Sequence, residues 1–442
     1  MTPKISGATF FILIPMLAIA VLGGTAQFGL TYDILPRVTA IILIACVAYH
    51  HSIWALLKKD RLLLALIAGT IGLLLVQLIP LPPGLWNALP GRAAYQAIYP
   101  AMEIDQPWLP LSLAPERTLD ALLFMVVPIA AFFAGRVSKR QQQLDFILSI
   151  LFVALLSIAI GGVQMTQSEG GPAYLYLQTS YGSPVGFFSN RNHQGIFLAC
   201  CLPLLWAAIT FLEARGFRRP AWFFGFPLMA LVIIAMFATQ SRAAAGIGMA
   251  GLLAALFLIR TEEGLSKRQW IVGGSVALVA LLLFVANDAI LARFAANPGE
   301  FNRADVYIIL KQLISAHWLT GSGFGTFELT APRFEPVEIL NGQYWNHAHN
   351  DFAQIWAEGG IFGVALGIAA LVWIFGASRV ALSTKPAERK FALACIIIIT
   401  MLLAHSTVDY PLRTASLSAL FAYCCGWLVA MSEWKSERRE RT

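Results

Sequence analysis

Runs of about twenty apolar residues recur along the chain, each long enough to carry a helix across a hydrocarbon core of about 30 Å. Lipid offers no hydrogen bonds to the backbone, so such runs fold as helices that satisfy their own amides and carbonyls. They fall at approximately 9–29, 38–57, 62–80, 118–135, 145–165, 194–212, 221–238, 243–259, 270–286, 352–378, 391–407 and 414–432. The expectation is an all-α polytopic membrane protein of about 12 transmembrane helices. Only 12% of the 442 residues are charged and 58% are hydrophobic, where a soluble domain carries about 25% charge. No segment long enough to fold by itself lies outside the membrane system.

Lysine and arginine near span ends stay on the cytoplasmic side. Placing both termini inside puts 21 of the 31 basic residues on short inner segments, Lys58, Arg136, Arg218 and Arg389 among them. The net charge of +7 then reflects this bias and a basic tail rather than nucleic-acid binding. All six cysteines fall within spans, where they read as small packing residues and not as a disulfide or thiolate metal framework.

Two outer segments are long, about 81–117 and about 287–351, and function is expected on that face. The first, rich in proline and carrying Trp86 and Trp108, reads as an interfacial segment with aromatic anchors. The second holds an amphipathic stretch from Arg303 to Trp318, then Gly321-Ser322-Gly323-Phe324-Gly325. Neither a Rossmann strand–helix context nor a Gly-Lys-Ser/Thr ending accompanies those glycines. They read as a tight turn over the membrane surface.

Polar groups at membrane depth are costly and usually functional, and four sets lie at the outer boundary. Ser189-Asn190-Arg191-Asn192-His193-Gln194 precedes the sixth span, and an arginine among amides at a helix start is either a natural anion site or a solvated cap. Thr239-Gln240-Ser241-Arg242 joins the seventh and eighth spans with almost no loop. Arg242 therefore faces a cavity, a lipid headgroup or a partner. His347, His349, Asn350 and Asp351 introduce the tenth span, and Asp351 with Gln354 resembles a capping box. The field of that helix start disfavours the imidazolium, keeping His349 neutral and able to accept a proton. His405, Asp409 and Arg413, four apart, share one face if the eleventh span continues through Pro411, as a site or a structural network. No carboxylate or cysteine cluster at ligand spacing accompanies the histidines, so neither a metal nor another cofactor is expected.

Outward arginines, a neutral histidine and membrane embedding suit transfer of a glycan from a lipid pyrophosphate. Guanidinium groups stabilise the departing diphosphate by two-pronged hydrogen bonding. A sugar hydroxyl is a poor nucleophile that gains from a positioned base. The donor itself stores the energy.

The segment 189–194, the turn 239–242, Gly-Ser-Gly-Phe-Gly-Thr-Phe at 321–327, His-Ala-His-Asn-Asp at 347–351 with Glu-Gly-Gly at 358–360, and the His405/Asp409 pair together resemble the O-antigen ligase and polymerase superfamily. The resemblance spans roughly 180–410. It implies a bacterial inner-membrane protein with a GT-C-like core and a large late periplasmic loop. It divides the chain into N-terminal helices (1–180), a catalytic region (181–410), and a last helix with a basic tail (411–442). The activity implied is metal- and ATP-independent transfer of an undecaprenyl-pyrophosphate-linked glycan onto lipid A-core or onto another lipid-linked repeat, with membrane lipids as surroundings. By position, Arg191 and Arg242 would bind the pyrophosphate, with Arg303 an accessory contact. His349 or His347 would activate the acceptor, supported by Asn190, Asn192, His193, Asn350, Asp351, Glu358, His405 and Asp409. The competing reading is a transporter or flippase for a lipid-linked sugar or organic anion. It calls for paired discontinuous helices and midplane charges, and Glu358 is the residue best suited to it.

Overall fold

The computed structural model describes residues 7–27, 30–139, 142–259, 303–337, 345–383 and 386–439. The described residues are mostly helical: α1 (Gly7–Leu22), α2 (Leu30–His50), α3 (Arg61–Gln77), α4 (Pro115–Phe124), α5 (Val126–Val137), α6 (Gln143–Gln164), α7 (Arg191–Ala214), α8 (Arg218–Ala238), α9 (Arg242–Leu258), α10 (Arg303–His317), α11 (Asp351–Leu382), α12 (Pro386–His405) and α13 (Ala415–Arg439). Each expected span has a helix except the ninth, 270–286, which lies outside the described residues. Among the described residues, six spans are long and apolar enough to cross a membrane: α2, α4 with α5, α6, α7, α8 and α11. Shorter apolar stretches are Phe11–Leu22 of α1, α3, α9, Val306–His317 of α10 and Ala415–Met431 of α13.

Helix α7 is the centre of the bundle, buried on every side from His193 through Thr210, whereas α11 lies at its edge and leaves most of its apolar surface uncovered. A helix apolar all round is suited to either position in lipid. Side-chain fit sets the packing, as where Phe146 of α6 stacks on Tyr423 of α13 at 3.9 Å and the Tyr423 hydroxyl meets Ser138 Oγ at 2.8 Å. At the end of the bundle holding Lys58 and Arg136, Arg136 pairs with Glu433 at 2.9 Å.

The opposite end is stitched by backbone. Gly23 O accepts from Ser416 N, Gly24 O from Ser189 N, and Ser406 O from Asp351 N. Segments 23–27, 174–191, 345–351 and 406–416, far apart in sequence, meet there.

Beside this junction, α11 is broken. Gly360 adopts φ 60°, ψ −156°, so the helix ladder stops and the carbonyls of Ala357 and Glu358 lose their usual helical N–H donors. The glycine segment fills the gap: Ser322 N donates to Ala357 O and Gly323 N to Glu358 O, both at 3.0 Å. Gln77 of α3 completes the lock, its amide donating to Glu358 O and accepting from Phe324 N. Gly321 has φ 74°, and a Cβ there would overlap Glu358 O, so only glycine fits. The expected surface turn is therefore a buried plug, a role that sequence spacing could not reveal because the helix break it fills lies over 30 residues downstream.

The first long loop is more than an interfacial strap. Its ends pair as a minimal ladder, Pro80–Leu81 against Leu109–Pro110. Trp86 is buried, donating to Pro110 O at 2.9 Å under the Arg92 guanidinium. Trp108 is exposed and keeps the expected anchor character.

Candidate active site

Helix α7 begins at Asn190, whose extended backbone and Oδ1 cap the Asn192 amide at 2.8 Å. The side chains that follow converge on segment 405–413. Asn192 Nδ2 donates to Asp409 Oδ2 at 2.7 Å, and Asn190 Nδ2 reaches the Tyr410 hydroxyl at 3.4 Å. His193 is buried edge-on against the Tyr410 ring, 4.9 Å between centroids, with Nε2 3.9 Å from Asp409 Oδ1.

Helix α11 is capped by Asn350, which accepts from Ala353 N at 3.0 Å. The cap is thus one residue earlier than the expected Asp351–Gln354 box. Gln354 accepts instead from Ala348 N and donates to Glu358 Oε1. Asp351 takes hydrogen bonds from Ser406 Oγ at 2.9 Å and Arg413 Nε at 3.2 Å. Arg413 Nη2 also pairs with Glu358 at 3.2 Å.

Helix α12 ends at His405 and the chain turns, so His405, Asp409 and Arg413 do not form one helical face. His405 and Asp409 stay together through the Asp409 N to His405 O bond of 2.9 Å, while Arg413, in a short 3-10 turn started by Pro411, reaches the other way to Asp351 and Glu358. The buried Asp409 carboxylate accepts from His349 Nδ1 at 3.2 Å, from Asn192 and from Tyr410 N. Burial alone would raise its pKa. The His349 hydrogen bond and the nearby His349, His193 and His405 overcome that and hold it well below the usual carboxylate range.

Tyr410 is the hub that sequence reading missed. Its ring contacts His193, His347 and His349 at 4.9, 4.4 and 4.9 Å, and its hydroxyl takes both Asn190 and Asn346. Nothing in Asp409-Tyr410-Pro411 separates this tyrosine from an ordinary interfacial one.

The two histidines of the His-Ala-His run differ in what their ring nitrogens can do. His347 Nε2 lies 3.1 Å from Ala26 O, a carbonyl that can only accept, so Nε2 carries the proton. Its Nδ1 is left to accept from Gln354 Nε2 at 3.3 Å, and both nitrogens are occupied. Burial first, then the Arg413 charge, holds this ring neutral, well below its usual pKa, against the hydrogen bond to Ala26. His349 directs Nδ1 at the Asp409 carboxylate, which makes Nδ1 the donor and Nε2 the basic nitrogen. His349 holds φ 49°, a left-handed backbone few side-chain-bearing residues adopt, and such strain gathers at functional sites.

Gln240 shares that left-handed conformation with φ 57°, and Ser241 caps α9 by accepting from Ala244 N. This turn presses on the start of α7: a Cβ on Gly195 would lie 2.8 Å from Ala244 Cβ and 2.9 Å from Thr239 Oγ1. Helices α7 and α9 therefore begin side by side, Arg191 first in one and half-buried, Arg242 first in the other and exposed. Arg303 opens α10, but its side chain lies outside the described residues.

Two cavities adjoin the junction and share Ala26, Gln27, Leu177, Gln178 and Asn346. One, of about 480 Å³, reaches Ser180, Asn190 and Tyr410. The other, of about 380 Å³, reaches His347, Arg413, Arg37 and Arg117. Among the described residues, no group of three or more His, Cys, Asp or Glu could hold a metal ion.

Residues 227–368 match the family model described as O-antigen ligase. No curated protein matches the chain. The matched stretch holds the 239–242 turn, the glycine plug, His347, His349 and Glu358, and excludes Arg191, Asp409, Tyr410 and Arg413.

Proposed function

We propose, for a chain whose residues 227–368 are of the O-antigen ligase family, that it transfers a glycan from undecaprenyl pyrophosphate to a sugar hydroxyl, with His349 as general base. The observation that carries this reading is the His349 Nδ1–Asp409 contact of 3.2 Å, beside two cavities and the adjacent helix starts bearing Arg191 and Arg242.

In this reading His349 Nε2 takes the acceptor proton as the hydroxyl oxygen bonds to the anomeric carbon. The bond from that carbon to the phosphate oxygen breaks, and its electrons leave with the polyprenyl diphosphate. Asp409 stabilises the imidazolium and fixes its tautomer. Arg191 and Arg242, with the positive dipole ends of two helix starts, receive the negative charge. Arg303 is an accessory contact. His347 holds the loop. The chain lies in the bacterial inner membrane with twelve spans, a GT-C-like core, cytoplasmic termini and the junction facing the periplasm. The acceptor is lipid A-core for a ligase and a second lipid-linked repeat for a polymerase.

One observation bears on the transporter reading: the break in α11 is the kind of discontinuity carriers use to bind substrate. Here the freed carbonyls are filled by the glycine plug and Gln77, and Glu358 is engaged by Arg413, Gln354 and Phe327 N. That filling supports a structural break.

The deciding experiment supplies purified protein in liposomes with an undecaprenyl-pyrophosphate oligosaccharide, offering lipid A-core or more donor, with EDTA and without ATP. Product on lipid A-core marks a ligase and a ladder marks a polymerase. Equal behaviour of wild type and His349→Ala with every donor would sink the reading.

A further inference from the structure

The cavity of about 380 Å³ is walled by charged side chains that the transfer chemistry leaves unused. Arg37 of α2 pairs with Asp120 of α4 at 2.7 Å and with Asp33, one turn before it, at 3.4 Å. Arg117 of α4 pairs with Glu328 at 3.1 Å. Arg413 is held by Asp351 and Glu358. The wall therefore sets three carboxylates, Asp33, Asp120 and Glu328, against three guanidinium groups, and Arg413 is neutralised from behind by the buried Asp351 and Glu358.

A pyrophosphate entering here would meet a wall with no net positive charge and would have to displace a carboxylate from each arginine. Donor phosphate therefore belongs on the other side of the junction, where the cavity of about 480 Å³ touches Asn190 next to Arg191. Uncharged hydroxyls have the opposite preference. Carboxylate oxygens accept from them, guanidinium edges donate to them, and ion pairing holds both in place before the ligand arrives, which lowers the ordering cost of binding. The Arg37, Asp33, Asp120, Arg117 and Glu328 side chains keep between 12% and 31% of their surface exposed, so a ligand can reach them. Phe124, Leu177 and Leu412 supply an apolar wall for the carbon-bound face of a sugar ring. The volume is within the range of small-ligand sites.

We propose that this cavity is the acceptor site and that it takes a phosphate-free saccharide residue, selected by Asp33, Arg37, Arg117, Asp120 and Glu328. This rests on the transfer reading above. It places acceptor choice largely on α2 and α4, outside the matched segment, with Glu328 as the exception that the glycine plug delivers: Gly325 comes close to the Arg117 carbonyl, and Phe327–Thr330 form the helical turn that carries Glu328. The two cavities share Ala26, Gln27, Leu177, Gln178 and Asn346, so the acceptor and donor sites lie side by side at the junction.

The test measures binding as well as transfer. Full-length protein in detergent is titrated with a panel of phosphate-free bacterial oligosaccharides and, separately, with farnesyl pyrophosphate, using wild type, Asp120→Asn, Glu328→Gln and Arg191→Ala. Both carboxylate variants keep their shape, and a thermal melt verifies that they fold. At least one oligosaccharide is expected to bind wild type and to lose about tenfold in affinity in Asp120→Asn and Glu328→Gln, with farnesyl pyrophosphate unchanged. Arg191→Ala is expected to reverse the pattern. In the transfer assay the carboxylate variants raise KM for acceptor and leave KM for donor alone. The proposal is overturned if no oligosaccharide binds wild type, if the carboxylate variants bind sugar normally, or if they weaken farnesyl pyrophosphate instead. A wild type that binds sugar in this way but makes no product defeats the transfer reading and leaves the sugar site standing.

Discussion

Two buried polar clusters lie near one end of the bundle, and they have opposite characters. At the plug, Gln77, Ser322, Thr326 and the amides of Gly321 and Gly323 are bonded to backbone or to one another, Glu358 is held by Gln354 and Arg413, and none of these plug residues lines either junction cavity. At the junction, Asn190, Asn346, His347 and Tyr410 line cavities, and His349 has one nitrogen anchored on Asp409. Buried polarity alone therefore does not identify a site. A cluster whose groups are all spent on one another fixes a shape, whereas one that anchors a base beside open volume can act on something else.

The sharpest way to break this contrast is Gly321→Ala. The left-handed backbone penalty and the overlap with Glu358 O add to about 4 kcal/mol of destabilisation. The measurement is denaturation of the solubilised protein, and a stable Gly321→Ala variant would remove the plug from the argument. Next in size is His349→Ala, expected to lower the transfer rate about a thousandfold with little change in melting. His347→Asn is expected to do the reverse, costing about 1–2 kcal/mol of stability through the bonds to Ala26 and Gln354 and leaving the rate within a few fold. Exchanged phenotypes would make His347 the base. Asp409→Asn, which removes the charge that fixes the His349 tautomer, is expected to cost about tenfold to a hundredfold in rate, and single-turnover kinetics at saturating donor would read it.

Helix positions were legible in the sequence because lipid allows little but helices, and hydropathy alone brought the ends of α6, α7 and α8 within a few residues. Of the site, segments 189–194 and 347–351 could be read, since polar residues at a span boundary need a reason. Tyr410 and the Arg37–Asp120 pair could not. Their importance comes from contacts between residues 61 to 220 positions apart or on separate helices, and an isolated tyrosine or surface-type ion pair carries no local signature. The break at Gly360 was hidden for a related reason: Glu-Gly-Gly within an apolar run reads as small-residue packing until the distant segment that fills the gap is placed against it.

The smallest effect separates the clusters by pH. His317 ends α10, and its carbonyl accepts from Gly321 N at the root of the plug. Burial, then the charges of Arg92 and Arg333, push its pKa down to about 4, against a hydrogen bond with Pro90. The unfolded chain holds this imidazole near 6.5, so between 6.5 and about 4 the unfolded state binds more protons. Stability from the neutral ring is complete above 6.5 and is lost as pH falls toward 4. Melting of wild type should therefore drop further from pH 7 to pH 5 than that of His317→Gln, the difference isolating this group from the carboxylates that titrate in both. The ratio of their transfer rates should stay constant over the same interval, because His317 belongs to the plug and not to the junction. Parallel melting profiles, or a rate ratio that varies with pH, would join the two clusters into one titrating unit.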